Sequence, residues 1–187
     1  MINTLIKKVF NGKDNSRTGR LKAIQKLPQD RAKKELGRFL FDTCVDHALS
    51  FVREDHSRTE SLFSELHKHK LFHEMVAINF WLVDKKFSRT SKALIDEVHN
   101  LYSLAYSESA DSFDGTDSLK DRYEIYHNSW NDITGFQDQF GLRATEFIFG
   151  NANGVPVEQT SFWIISHAHE ALKTFSDIKR SCRNLKV

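Results

Sequence analysis

Two of the nine histidines in this 187-residue chain, His69 and His73, stand four apart in LFSELHKHKLFHEMVAINFWLVDKKF, residues 62–87. Side chains at i and i+4 project from one face of a helix. With Glu74 beside them, and His47 and Asp84 as more distant helpers, they form a candidate His/carboxylate set for a divalent transition metal such as zinc or iron. The pattern is not H-E-x-x-H, because Glu74 follows the second histidine, about 100° further round the helix. The competing reading makes His73 a hydrogen-bonded core residue and puts His69 at a helix end.

Other arrangements are weaker. Glu124-Ile-Tyr-His127 is a Glu-x-x-His motif of the kind used by di-iron bundles, and Asp96 to His99 is a looser copy with Asp in place of Glu. Glu124 falls more than about 100° from the Tyr123/Tyr126/Trp130 stripe, so this pair is expected at solvent or in a groove. His167 and His169 sit about 200° apart on one helix and cannot share an ion; both are expected on its flanking faces. There is no G-x-S-x-G, no Cys in a catalytic context, no Walker A and no G-x-G-x-x-G. Gly150-Asn-Ala-Asn-Gly154 lacks a preceding strand and reads as a turn.

Helices must position these residues. Two prolines, eight glycines and long 3.6-period segments argue against a loop-rich β fold. From Leu71 to Val83 the sequence is apolar almost all round, broken by His73, Glu74 and Asn79, as suits a helix enclosed by others. A long helix is expected from an N-cap at Asp30 to about Arg53, with Leu36, Phe39, Leu40, Cys44, His47, Ala48 and Phe51 inward. Ser57-x-x-Glu60 matches a capping box that would open the next helix, running to about Lys86 with a break near Lys70. Further helices are expected over 91–107 and from 118 to a break near Gly141, with 108–118 a loop. The last helix, to about Cys182, repeats Val157, Ser161, Ile164, Ala168, Ala171, Phe175 and Ile178 at 3-4 spacing. The expected fold is all-α: a single-domain bundle of five or six helices over 21–187 around the central apolar one, preceded by a basic amphipathic segment and linker over 1–20.

Net charge is +2 but uneven: residues 1–38 hold eleven Lys/Arg against Asp14, Asp30 and Glu35. Ile2, Leu5, Ile6, Val9 and Phe10 share an arc of about 140°, with Lys7 and Lys8 opposite. Lys7, Lys8 and Lys13 are therefore candidate contacts to anionic headgroups. Nucleic acid is the less favoured anion, because no aromatics interleave the basic residues before Phe39 and no helix-turn-helix is evident. Cys44 and Cys182 fall on apolar stripes and read as small core residues in a reducing compartment. No segment reaches the roughly 20 apolar residues of a membrane span, and no secretory signal is evident, so the cytoplasm is the expected location.

These features point first to a non-enzymatic helical-bundle binding or scaffold protein without a cofactor. It would act on a protein partner or on a second copy of itself through the spare aromatics Trp81 and Phe41. A metal-dependent bundle enzyme around His69 and His73 is the alternative. Peripheral membrane association through residues 1–13 is the second alternative.

Overall fold

A computed structural model describes residues 17–58, 60–63, 68–88, 91–109, 115–131, 138–150 and 156–183. Among them the chain is helical and contains no strand. The seven helices are α1 Arg17–Ile24, α2 Gln29–His56, α3 Lys68–Phe87, α4 Lys92–Tyr106, α5 Gly115–Ser129, α6 Asp138–Phe149 and α7 Val157–Ser181.

Helix α1 buries only Leu21 and Ile24, and it starts inside the stretch expected to be linker. Pro28 explains the break that follows. It disfavours helical backbone at Leu27, and its own fixed φ suits the residue that leads a new helix. The N-cap of α2 is therefore Pro28, and Asp30 lies in the first turn instead of capping it. The expected stripe of α2 is inward: Leu36, Phe39, Leu40, Cys44, Ala48 and Phe51 are all buried.

The chain does not start a helix at Ser57. The Ser57 hydroxyl donates back to the Glu54 carbonyl at 2.8 Å, and Ser57 is the C-cap of α2. The buried Asp55 carboxylate organises the turn instead, accepting from the Leu62 amide at 3.1 Å and from the Ser61 hydroxyl. A local carboxylate that satisfies two donors outcompetes a capping box.

Every residue of α3 from Leu71 to Val83 is buried, and the helix touches α2, α4, α5, α6 and α7. Trp81 is stacked on Phe140 with centroids 5.2 Å apart and meets Tyr126 and Trp130 edge-on at 5.6 and 5.4 Å. Such a cluster adds roughly 0.5–1.5 kcal/mol per ring pair beyond its area.

The expected break near Gly141 is absent: Gly141 lies inside α6, and the preceding helix ends earlier, at Ser129. A Cβ at position 141 would stand 2.7 Å from Ile165 Cδ1 and 2.9 Å from Ser161 Cβ. The glycine thus lets α6 and α7, one of the closest helix pairs, approach each other. Beside it Thr145 donates to the Gly141 carbonyl at 2.9 Å and pairs with Ser161 at 3.2 Å.

Candidate functional site

The structure separates the residues whose spacing pointed to a metal. His69 is exposed, whereas His73 is 2% exposed. Both ring nitrogens of His73 are engaged, Nδ1 with the Tyr102 hydroxyl at 2.8 Å and Nε2 with the Ser109 hydroxyl at 3.1 Å. A neutral imidazole offers one donor and one acceptor, and hydroxyls can take either role. Tyr102 and Tyr106 then pack edge-on to the ring. Glu74 makes a two-pronged ion pair with Arg122, at 2.7 and 3.2 Å. His73 and Glu74 therefore spend their polar atoms on Tyr102 of α4, on Ser109 just beyond that helix and on Arg122 of α5.

Asp84 is half-buried, and burial raises its carboxyl above the usual range against the opposing charge of His127. Glu124 and His127 are exposed, and His99 bonds the Tyr123 hydroxyl at 2.9 Å. Among the described residues no three His, Cys, Asp or Glu side chains are grouped to hold a metal ion. Trp81, expected at a partner surface, is 2% exposed within the aromatic cluster above. Phe41 is half-buried and tilted against Phe80 at 6.2 Å. Cys44 and Cys182 are both buried and free. Lys7, Lys8 and Lys13 lie outside the described residues.

What the structure does assemble is a cleft of about 310 Å³ between α2 and α7, closed at one end by Arg17 of α1. Helix α2 contributes Asp46, His47, Ser50, Phe51 and Glu54; helix α7 contributes Trp163, Ser166, His167, Glu170 and Thr174. The spacing 46/47, 50/51, 54 is one helical face, and 163, 166/167, 170, 174 is another. Three carboxylates thus face one guanidinium.

The inner wall is a chain of hydrogen bonds. Asn79 donates its amide to the Cys44 carbonyl at 3.0 Å, and its Oδ1 lies 3.1 Å from His167 Nε2. An amide oxygen only accepts, so Nε2 carries the proton of His167. Burial, reinforced by the neighbouring His47, lowers the His167 value to about 3. His167 is therefore neutral at ordinary pH. His47 is lowered as well, chiefly by burial and then by Arg17, with Glu170 pulling the other way. The two imidazoles meet edge-on with centroids 6.0 Å apart. Burial raises Asp46, with Asp42 adding to the effect and Arg17, Arg20 and Arg53 countering it.

Two polar atoms on this wall are orphaned. His47 Nε2 and Trp163 Nε1 are buried without a hydrogen-bond partner. Natively folded chains rarely leave such atoms unmatched, and each unmet group costs about 1–3 kcal/mol. The Trp163 ring is held from outside by the Arg58 guanidinium, 3.5 Å above it, and from inside by Phe51 at 6.1 Å.

His167, placed on a flanking face by its sequence context, is 9% exposed and belongs to the core wall. Its position three residues after Ile164 and four before Ala171 was the available signal, since that spacing shares the buried arc of α7. Trp163, Glu54, Asp46, Glu170 and Arg17 carried no comparable signal, because their meeting depends on which helices are neighbours. No protein-family model matches the chain, and no curated protein or solved structure is significantly similar to it.

Proposed function

We propose that this chain is a non-enzymatic binding protein whose α2/α7 cleft receives an arginine or lysine residue of a partner protein. The observation that carries the reading is the pair of orphaned atoms, His47 Nε2 and Trp163 Nε1, on a cleft where Asp46, Glu54 and Glu170 outnumber Arg17. An indole N–H needs an acceptor, and three carboxylates favour a cation. A basic residue supplies both: a charged head for the carboxylates and, once the buried indole turns toward the cleft, its own backbone carbonyl for Trp163. At about 310 Å³ the cleft sits at the small end of ligand sites, the size for one side chain and not a large cofactor. Phe51 and Trp163 supply apolar walls for the aliphatic stem.

Acid–base catalysis is less well supported. A working histidine base is oriented through its second nitrogen by another group. Among the described residues no such group is bonded to His47, and the Ser166 hydroxyl is committed to the Phe162 carbonyl at 2.9 Å.

Arginine amide is the minimal probe, with a guanidinium and a carbonyl. Calorimetric titration is expected to give saturable binding near the millimolar range, weakened at least about tenfold in a Glu54→Gln/Glu170→Gln variant. Equal heats from arginine amide and from an anionic control such as glutamate would overturn the reading.

A further inference from the structure

A second groove, of about 560 Å³, lies where α1 meets the first turns of α2. Its walls carry Arg20, Arg31, Lys34 and Arg38 against a single carboxylate, Glu35. Its floor is apolar, made of Ala23, Ile24 and Leu27. Two of the cations are committed, Arg20 to Asp42 at 2.7 Å and Arg38 to Glu35 at 3.5 Å. Arg31 and Lys34 are exposed and carry no partner among the described residues. Lys22 of α1 and Lys26, just after it, are exposed as well, outside the groove lining.

From this geometry we infer that the α1/α2 groove docks on an anionic phospholipid surface. Two uncommitted cations beside an apolar floor match a phosphate headgroup attached to an acyl body. Among the described residues the groove is lined by no aromatic side chain on which a base could stack, which disfavours single-stranded nucleic acid. The sequence just before α1 is itself rich in apolar and basic residues, among them Ile2, Leu5, Ile6, Lys7, Lys8, Val9 and Phe10, a composition that suits a bilayer surface. Polybasic attraction and shallow apolar insertion reinforce each other, since neither alone gives stable attachment. No described helix is long and apolar enough to cross a membrane, so the contact envisaged is peripheral. This inference is independent of the α2/α7 cleft.

The test is co-sedimentation of the full chain with vesicles of phosphatidylcholine containing about 30% phosphatidylserine, compared with phosphatidylcholine alone. Binding is expected only to the anionic vesicles and is expected to fall as salt rises. Arg31→Glu/Lys34→Glu should lower partitioning at least about tenfold while leaving the thermal melt unchanged. Lys92→Glu/Lys173→Glu, which changes net charge equally at exposed sites on α4 and α7, should stay within about twofold of the wild type. Equal losses in the two double variants, or no binding to anionic vesicles, would overturn the inference. Displacement from vesicles by about 10 mM inorganic phosphate, but not by sodium chloride at the same ionic strength, would also overturn it, and would assign the groove to a free phosphate. So would binding of a single-stranded oligonucleotide that needs Arg31 and Lys34 when vesicles are not bound.

Discussion

His73 and His47 are both interior imidazoles on long helices, and their surroundings are opposite. On α3, His73 has a hydroxyl at each nitrogen and aromatic rings around it. On α2, His47 has a buried Nε2 with nothing to bond. The first arrangement is closed: it fixes α3 against α4 and leaves no capacity for a ligand. The second is open: its polar capacity is unspent, and it lies on a cleft of excess negative charge. The difference teaches that histidine content and spacing do not locate a site. The α2/α7 cleft is proposed as the site on unmet polar atoms together with its carboxylates, because an unmet atom alone does not mark one: the Tyr126 hydroxyl is also unmatched, inside the aromatic cluster.

The largest effects are expected in the closed region. Phe80 is 1% exposed and packs edge-on to Tyr102 at 5.4 Å. Phe80→Ala should cost roughly 3–5 kcal/mol in chemical denaturation, and a loss below about 1 kcal/mol would contradict its place in the core. His73→Phe strands the hydroxyls of Tyr102 and Ser109 and should cost about 2–4 kcal/mol by the same measurement.

Next comes the acid response. His167 is held neutral at about 3, while in the unfolded chain it titrates near about 6.5. Protonation therefore favours the unfolded state. The stabilisation is complete above about pH 6.5 and is lost as pH falls toward the folded value. Between about pH 6.5 and 4.5 the loss should be on the order of 2 kcal/mol, and denaturation across that range should find a shallower slope in His167→Gln. Glutamine keeps a donor for Asn79 but does not titrate. An unchanged slope would place the acid sensitivity elsewhere.

The smallest stability effect separates the two histidines most sharply. His47→Phe removes an unpaired polar atom and should leave stability within about 1 kcal/mol of wild type, yet abolish the response to arginine amide. A loss comparable to that of His73→Phe would erase the distinction between the two regions.

Much of the fold was legible in the chain, and the reasons are local. Helix α7 was readable because its 3-4 repeat is long and every member from Ser161 to Ile178 is buried. The inward face of α2 was readable for the same reason. Two errors came from local signals that tertiary contacts override. Ser57-x-x-Glu60 lost to the Asp55 carboxylate, and Gly141 marks a close helix approach instead of a helix end. The helix count differs, seven among the described residues against five or six, although a short helix over 20–27 ended by Pro28 and a short helical piece over 142–149 were both readable in the sequence. The candidate site was scarcely legible. His47 was singled out with a different role, and its partners in the cleft lie more than a hundred residues away on α7. Periodicity tells which face of a helix is inward, but not which helix that face will meet.

The most direct test follows the indole N–H of Trp163 by ¹H–¹⁵N NMR as arginine amide is added. The chain has three tryptophans, and Trp81 and Trp130 are buried away from the cleft, so they serve as internal references. The account predicts that the Trp163 signal, assigned by its loss in Trp163→Phe, moves saturably while the other two stay in place. A stationary Trp163 signal, or equal movement of all three, would contradict it.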